Sequence, residues 1–267
     1  MTDQLEARQI STGYGKSLIS KDLSVAIEAG KITALVGPNA CGKSTLLKSM
    51  ARLLPIAAGS VLLEGSDIHA MPTREVARRL GILPQSPIAP ESITVGDLVW
   101  RGRHPHRQFG QRRTEADEVL IVDALMATGT AELVDRPVDQ LSGGQRQRVW
   151  IALALAQDTP TLLLDEPTTY LDIAHQIEVM DLLADLNEQT GKTIVLVSHD
   201  LNQAALYASS IIAMRDGSIV RQGTPDEVLT EQTVADVFGL QCIVVPHPRT
   251  ARPQIFPLGR RDLTQEK

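Results

Sequence analysis

A glycine-rich stretch at residues 37–45 has the residue types and the spacing to bind phosphate. It matches the pattern G-x-x-x-x-G-K-[ST] without a gap and reads Gly37-Pro38-Asn39-Ala40-Cys41-Gly42-Lys43-Ser44-Thr45. The apolar run at 32–36 predicts a buried strand before it, and residues 46–51 predict the first turns of a helix after it. A strand, a glycine loop and a helix in this order are typical of a phosphate-binding loop.

The residue types of this loop suit the binding of a nucleotide triphosphate. Gly37 and Gly42 let the backbone curl so that successive N–H groups point inward at the anion. Lys43 supplies a point charge to the β- and γ-phosphates, and the hydroxyl of Ser44 can ligate Mg²⁺. The competing interpretation is a glycine turn with Lys43 merely solvated. The strand and the helix on either side argue against it.

Two other apolar runs end in side chains that could act on a bound nucleotide. Residues 161–164 lead to Asp165 and Glu166, and residues 193–197 lead to His199. Strands buried on both faces read as continuous apolar runs, and ligand chemistry in such sheets lies at the carboxyl ends of the strands. We expect Asp165 to hold Mg²⁺, Glu166 to polarise an attacking water and His199 to face the γ-phosphate. The competing interpretation, two acids that cap the next turn, is weakened by Pro167.

A second glycine pair opens a long helical pattern at 146–156. The preceding residues are Leu141-Ser142-Gly143-Gly144-Gln145. Ser142 can act as an N-cap, and a helix N-terminus of this kind can receive an anion. The alternative is a simple cap with flexible glycines. Two glycines cost helix stability relative to alanine, so an unused pair would be unusual.

Two smaller features have both a plain and a functional interpretation. Tyr14 lies in a glycine turn, 13–16, between expected strands at 4–12 and 21–28. Alone it would be a packing residue, but near a phosphate-binding loop it could stack on adenine. His104 and His106 lie in a basic, proline-interrupted stretch with poor metal-site spacing. We interpret them as surface residues of an interaction loop.

Composition limits the class of protein. The 267 residues suit one large domain or a core with a smaller subdomain, and 43% hydrophobic residues are ample for an aliphatic core. A net charge of −6 argues mildly against a nucleic-acid partner. The two cysteines, Cys41 and Cys242, suggest no disulfide framework. We expect no signal peptide and no membrane span, so work at a membrane would require partners.

The elements around these motifs indicate an α/β protein with an inserted helical block. The N-terminal strands are expected to pair antiparallel, residues 58–60 to form a turn, and 73–80 to form a helix with solvated arginines. Residues 91–140 read as mostly helical. Arg215-Asp216-Gly217 predicts a hairpin, and Thr224 with Pro225 predicts a helix start. The tail from 240 onward is proline-rich with short strands.

Taken together, these motifs resemble the nucleotide-binding subunit of ABC transporters over about residues 5–235. Leu141–Gln145 is that family's signature. The resemblance implies a P-loop NTPase core with a mixed, mainly parallel sheet, an N-terminal antiparallel β-subdomain and an inserted helical subdomain at about 91–157. It places the ATPase domain at 1–240 and a C-terminal tail at 241–267. The motifs that carry it are Tyr14, Gly37–Thr45, Gln85, Leu141–Gln145, Leu162–Glu166, Asp172 and His199.

The resemblance also implies roles for these residues. Two copies would close head to tail, with ATP between the phosphate-binding loop of one and Ser142, Gly143, Gly144 and Gln145 of the other. Tyr14 would stack on adenine, and Asp172 would make a contact across the dimer. Ser44, Gln85 and Asp165 would serve Mg²⁺, while Glu166 as general base, His199 and Gln85 would form the catalytic set. Ala40-Cys41 stands where glycine-rich variants are commoner in the family; both residues are small, so we expect nothing worse than sensitivity of Cys41 to oxidants or thiol reagents.

A finer resemblance is to importer ATPases for iron–siderophore complexes, haem and vitamin B12. It rests on residues 99–106, 169–176 and 237–240. It implies ferric siderophore uptake through polytopic membrane permease subunits, indirect dependence on a substrate-binding protein, no nucleic acid, and a peripheral position on the cytoplasmic face of the cell membrane. Haem or vitamin B12 import and a soluble ABC-type ATPase of iron–sulfur assembly remain alternatives. A regulatory subunit without turnover is a third, against which Glu166 and His199 weigh.

Overall fold

The computed structural model describes residues 3–15, 17–107 and 113–259. The chain divides into two compact units, the first comprising Met1–His69 with Val195–Lys267 and the second Ala70–Ile194. The strands in chain order are β1 (Asp3–Tyr14), β2 (Ser17–Glu28), β3 (Ile32–Val36), β4 (Ile56–Leu63), β5 (Ser66–Asp67), β6 (Leu80–Leu83), β7 (Thr161–Asp165), β8 (Thr193–Val197), β9 (Ser210–Arg215), β10 (Ser218–Gly223), β11 (Cys242–Pro246) and β12 (Pro253–Pro257).

The α-helices of the described residues lie between these strands. In chain order they are α1 (Lys43–Met50), α2 (Thr73–Arg79), α3 (Val95–Trp100), α4 (Glu115–Ala127), α5 (Gly143–Ala156), α6 (Ile173–Thr190), α7 (Leu201–Tyr207), α8 (Pro225–Val228) and α9 (Glu231–Phe238). Short 3₁₀ helices cover Arg101–His106, Ala131–Leu133 and Val138–Gln140. None of the helices in the described part of the chain has the length and apolar character needed to cross a bilayer.

The first unit contains an antiparallel sheet with the order β2-β1-β4-β5. Leu23, Val25 and Ile27 of β2 are buried at alternate positions, as the alternation over 23–27 predicted. The predicted turn at 58–60 is wrong, because these residues lie inside β4. Gly59 adopts φ 83° beside a register shift between Arg8 and Ser11 of β1, and a Cβ there would lie 2.4 Å from the carbonyl oxygen of Arg8. The glycine therefore marks a β-bulge rather than a turn.

The first unit also holds the strands that flank the phosphate-binding loop, in the order β10-β9-β3-β8. Strand β3 pairs parallel with β9, and the predicted hairpin joins β9 to β10 in an antiparallel pair. Every residue of β3 is buried, as the continuous apolar run predicted. The division between the two units falls inside β8.

The second unit contains the neighbouring strands β7 and β6 and carries helices α2 to α6. Strands β6 and β7 pair parallel, with Leu83 opposite Leu164. The mixed, mainly parallel sheet and the antiparallel N-terminal sheet are therefore confirmed. Thr94 and Thr114 cap α3 and α4 through their side chains, and the predicted N-cap of α4 is thus confirmed.

The basic 3₁₀ segment at 101–106 is tied into the second unit rather than free. Arg103 is buried and donates through Nε to Asp117 Oδ1 at 2.9 Å, and through Nη1 to the carbonyl oxygen of Ala156 at 2.9 Å. His106 Nε2 lies 2.8 Å from the carbonyl oxygen of Gln157. The prediction of a surface histidine is therefore wrong for His106, which is half-buried, and correct for the exposed His104.

The pKa of Asp117 reflects this buried pair. Burial alone would raise the pKa of its carboxyl group, but hydrogen bonds from Arg103 and Thr114 outweigh burial and hold the pKa below its ordinary value. The carboxylate thus remains charged beside the guanidinium at neutral pH.

In α2, Arg74 and Arg78 are exposed, as expected, yet both donate to the carbonyl oxygen of Pro105.

The tail folds back onto the first unit. Strands β11 and β12 form an antiparallel hairpin, so the prediction of short strands is confirmed over 242–257. Asn202 of α7 exchanges two hydrogen bonds with the backbone of Ile255, at 2.7 and 3.2 Å. Lys16 of the predicted turn at 13–16 and the tail beyond 259 lie outside the described residues.

Candidate functional site

The phosphate-binding loop of the first unit joins buried strand β3 to helix α1. The helix begins after Gly42, whose φ of 107° is left-handed, and no side chain caps it. Gly42 itself has no side chain that could accept from the first backbone N–H groups of the helix. A helix N-terminus with such N–H groups, at the positive end of the helix dipole, is suited to bind phosphate. The predicted strand–loop–helix arrangement is confirmed.

Glycines shape this loop because other backbone segments approach it closely. A Cβ on Gly37 would lie 2.2 Å from the carbonyl oxygen of Met214 and 2.8 Å from Cys41 Sγ. The hairpin glycine Gly217 donates its backbone N–H to the Cys41 carbonyl at 2.9 Å. A Cβ on Gly217 would lie 1.8 Å from the carbonyl oxygen of Ile19. The loop is thus held between β2 and the β9–β10 turn.

Lys43 and Cys41 lie inside the loop. The Lys43 side chain is buried, and its Nζ donates to the carbonyl oxygens of Gly37 at 2.8 Å and Pro38 at 2.9 Å. Both carbonyl oxygens are neutral acceptors, so an anionic phosphate would be a stronger partner for this ammonium group. Burial raises the pKa of the Cys41 thiol, although the charge of Lys43 opposes this. The thiol is therefore less reactive at neutral pH than an exposed cysteine.

Two further predicted site residues of the first unit are exposed. Tyr14 ends β1 with 51% of its surface accessible, so its ring is available for stacking. His199 is exposed between the end of β8 and the start of α7. Asp200 caps α7 by accepting hydrogen bonds from the backbone of Asn202 and Gln203. This cap fixes the backbone next to His199.

The carboxylate pair lies at the end of β7 in the second unit. Asp165 is 1% exposed, whereas Glu166 is half-buried and adopts a left-handed φ of 56°. Thr169 Oγ1 donates to Glu166 Oε2 at 3.1 Å. Gln85 is exposed two residues after β6, and β6 and β7 run parallel with Leu83 opposite Leu164. The structure thus brings Gln85 and the carboxylate pair to the same edge of the sheet.

The glycine pair at 143–144 begins α5 beside the segment that follows the carboxylates. Ser142 and Gln145 form a complete capping box, with Gln145 N to Ser142 Oγ and Ser142 N to Gln145 Oε1 both at 3.2 Å. A Cβ on Gly143 would lie 3.8 Å from the Tyr170 Cβ, and one on Gly144 would lie 3.4 Å from a Leu171 methyl group. Both are ordinary contacts.

Asp172 caps the next helix, α6. Its Oδ1 accepts from the backbone N–H of His175 at 3.0 Å and lies 2.7 Å from His175 Nδ1. The backbone hydrogen bond from His175, and then the side-chain one, lower the pKa of the Asp172 carboxyl group. The neighbouring Tyr170 and Ile173 are both largely exposed. Two exposed, mainly apolar side chains thus lie within two residues of an ionised carboxylate in the sequence.

The family model for ABC transporters matches residues 20–169. The chain belongs to the ABC transporter family. This ABC ATPase is 52% identical over 256 residues to the achromobactin transport ATP-binding protein CbrD of Dickeya dadantii (strain 3937), covering 96% of this chain and 95% of the relative. It is 48% identical over 257 residues to the ferric enterobactin transport ATP-binding protein FepC of Escherichia coli (strain K12), covering 96% and 95%.

A solved structure extends the similarity to three dimensions. The ABC ATPase resembles the ATP-binding cassette MJ0796, solved as a dimer in a post-hydrolysis state bound to ADP and Pi. The TM-score is 0.73 with 28% sequence identity, and the similarity covers 82% of this chain and 98% of that one. The ABC ATPase fold expected from the motifs is therefore confirmed, and the chain is an ATPase of this family.

Sequence reasoning missed several residues that support the ABC ATPase site. The Asp216-Gly217 turn predicted a hairpin, but nothing in the pattern indicated that it would hold the phosphate-binding loop. Gln147 and Thr169 also went unnoticed, because each is a common polar residue within a longer motif. Gln147 Nε2 donates to the carbonyl oxygen of Pro167 at 2.8 Å. A polar residue on the buried face of α5 was the available signal.

Proposed function

We propose that this ABC ATPase energises the import of a ferric siderophore through a separate membrane permease. The near-complete coverage of two ATP-binding proteins named for achromobactin and ferric enterobactin transport carries this proposal. A haem or vitamin B12 importer is the alternative for the cargo, and iron–sulfur assembly is the alternative outside transport. The chain would comprise an ATPase domain at 1–240, with a helical insertion at about 91–157, and a tail at 241–267.

In ATP hydrolysis, each of the predicted site residues would have a separate role. The backbone of residues 37–45 and the Lys43 charge would hold the phosphates, and Tyr14 would stack on the adenine. Glu166, at the end of β7, would accept a proton from the attacking water, while His199 would contact the γ-phosphate. The exposure of Tyr14 and His199 supports these roles, because both side chains are accessible to a ligand.

The donor set fits Mg²⁺ as the metal that accompanies ATP. Ser44, Gln85 and Asp165 offer a hydroxyl, an amide oxygen and a carboxylate, which are hard oxygen ligands of the kind Mg²⁺ prefers. Asp165 is 1% exposed, and a buried carboxylate gains from a nearby cation. When bound, the metal would neutralise negative charge on the phosphate oxygens.

A second copy of the chain would complete each ATP site. The sequence has one phosphate-binding loop and one signature, so Ser142 to Gln145 would act on the nucleotide held by the partner copy. Asp172 and the exposed Tyr170 would lie in the same contact. The dimeric state of the similar cassette MJ0796 supports this arrangement.

The permease would bind this subunit at the cytoplasmic face of the membrane, and the substrate-binding protein would act only indirectly. No nucleic-acid partner is expected. The basic segment at 101–106 could contribute to docking through its exposed Arg101 and His104 only. Arg103 and His106 are committed to internal hydrogen bonds.

Replacing the proposed base tests the assignment of hydrolysis. Glu166→Gln should lower the ATPase rate by about 10²-fold or more, because general-base catalysis contributes about that much. ATP binding should remain, since the phosphate-binding loop is unchanged. Glu188→Gln on the exposed side of α6 is the matched control and should retain the ATPase rate. An undiminished rate in Glu166→Gln would contradict the assignment.

Uptake measurements test the cargo. A strain lacking this gene should lose uptake of iron-labelled siderophore, and the wild-type chain, but not Glu166→Gln, should restore it. Restoration of haem or cobalamin uptake with no effect on siderophore would instead support the alternative cargo.

A further inference from the structure

The loop that carries Glu166 is held at both ends by glutamine side chains. Gln147 of α5 is 7% exposed, and its Nε2 donates to the carbonyl oxygen of Pro167 at 2.8 Å. Gln176 of α6 donates through Nε2 to the carbonyl oxygen of Leu171 at 3.0 Å. A buried amide that donates to one backbone carbonyl fixes that peptide unit in position.

Glu166 depends on such support because its backbone is in an unfavourable conformation. Its φ of 56° is left-handed, which a non-glycine residue adopts only when its surroundings impose it. Pro167 follows directly, and the buried Gln147 amide holds the carbonyl of this proline. Thr169 Oγ1 then donates to the Glu166 carboxylate at 3.1 Å. The Gln147 contact thus lies one residue from the base.

Gln147 also shares a helix with the signature. Helix α5 begins immediately after Ser142, and its first residues are the glycine pair. Gln147 lies only five residues beyond Ser142, about 7.5 Å along the helix axis. A helix transmits displacement along its length as a rigid element, so a shift of the signature would move the Gln147 amide as well.

We propose that Gln147 is a positioning residue for Glu166 and makes the position of this base depend on the position of the signature helix. The inference rests on the proposed function, in which Glu166 is the base and the signature contacts the nucleotide of the partner copy. Engagement of the signature at one ATP site would then adjust the base of the other. The two sites of a dimer would be coupled through Gln147.

Separating turnover from ATP binding tests the positioning role. Gln147→Leu keeps the approximate volume but removes the donor, so kcat should fall about tenfold or more because small displacements of a catalytic group are costly. The KM for ATP and the ATP affinity should stay within about twofold, since the phosphate-binding loop lies elsewhere in the chain. An unchanged kcat, or a KM that rises alone, would overturn the proposal.

A second pair of variants covers the case in which Gln147→Leu does not fold. Thr169→Val removes the hydroxyl that donates to Glu166 but keeps the side-chain shape, whereas Thr169→Ser keeps the hydroxyl. We expect Thr169→Val to lower kcat about tenfold and Thr169→Ser to restore most of it. Equal rates in the two variants would show that the hydrogen bonds around Glu166 do not position it.

A double-mutant cycle tests the coupling. Gly144→Ala at the signature and Gln147→Leu should give rate losses that are not multiplicative when combined, because both act through α5. Multiplicative losses would overturn the coupling. The Glu166→Gln variant distinguishes a failure of the proposed function from a failure of this inference. If Glu166→Gln retains turnover, the assignment of the base fails. If Glu166→Gln loses turnover while Gln147→Leu keeps it, only the positioning role of Gln147 fails.

Discussion

Two helices of this ABC ATPase begin at glycines, but their N-termini are built differently. Helix α1 starts at the left-handed Gly42, which has no side chain to cap it. Helix α5 starts with a complete capping box between Ser142 and Gln145, which supplies acceptors for the backbone N–H groups of these two residues. The start of α5 is therefore capped by side chains of its own sequence, whereas the start of α1 is shaped by a glycine.

The fold of the chain leaves no room for a side chain at the glycine of the phosphate-binding loop, but it does leave room at the signature glycines. A side chain on Gly37 would lie 2.2 Å from the Met214 carbonyl, so the fold of the first unit requires glycine there. A Cβ on Gly144 would meet nothing closer than a Leu171 methyl group at 3.4 Å. The signature glycines are therefore not required by the monomer. In the proposed dimer, the nucleotide of the partner copy would approach these glycines closely.

Gly37→Ala should have the largest effect, because it tests the glycine that the fold needs. The clash with the Met214 carbonyl must displace β3 or β9, and such overpacking costs about 1–3 kcal/mol of unfolding free energy. We expect ATP to bind at least tenfold more weakly, equivalent to about 1.4 kcal/mol. Thermal unfolding and nucleotide titration of the full chain would measure both effects.

The matched control is Gly65→Ala. Gly65 has a left-handed φ of 78° but no atom within 4 Å of a Cβ. It should lose about 1 kcal/mol from backbone conformation while ATP affinity stays unchanged. Equal losses of ATP affinity in the two variants would contradict the role given to the Gly37 contact.

Sequence predicted the phosphate-binding loop well because each requirement of the loop is local. Strand β3, the glycines and helix α1 follow one another along the chain, and both flanks were found as predicted. The contacts that hold the loop are not local: Met214 and Gly217 belong to a hairpin far along the chain. Periodicity indicated that hairpin but could not indicate where it would lie.

The same limit explains the errors. The turn predicted at 58–60 followed from Gly59, whereas pairing with β1 made the glycine a bulge. His106 was placed on the surface because its neighbours are basic, yet the end of α5 supplies a carbonyl partner. In both cases a tertiary contact overrode the local composition. Gln147 went unnoticed for the same reason, since its buried partner at Pro167 is twenty residues away.

Ser142→Arg tests the signature at the start of α5, and its expected effect is smaller than that of Gly37→Ala. A large cation at the exposed signature would prevent close approach of a second copy, so the ATPase rate should fall at least about tenfold, a difference of about 1.4 kcal/mol in activation free energy. Binding of ATP to the isolated chain should persist, because the phosphate-binding loop is untouched.

Ser142→Ala separates the bulk of arginine from the lost cap. Both variants remove the hydroxyl that accepts from Gln145 N, so both should lose about 1 kcal/mol of unfolding free energy. The ATPase rate of Ser142→Arg should nevertheless lie well below that of Ser142→Ala. Loss of ATP binding by isolated Ser142→Arg would break the comparison, since the signature would then be needed within one chain.

Gly144→Ala should change the free energy of unfolding least among these variants. It should leave that free energy constant or raise it slightly, whereas Gly37→Ala should lower it. Alanine favours a helix over glycine by up to about 1 kcal/mol, and the Leu171 methyl group at 3.4 Å leaves room for its Cβ. The unfolding temperature should therefore stay constant or rise slightly. The ATPase rate should still fall, because a Cβ would keep the partner's nucleotide from the backbone. A variant that is destabilised, or fully active, would show that these glycines do not serve an external ligand.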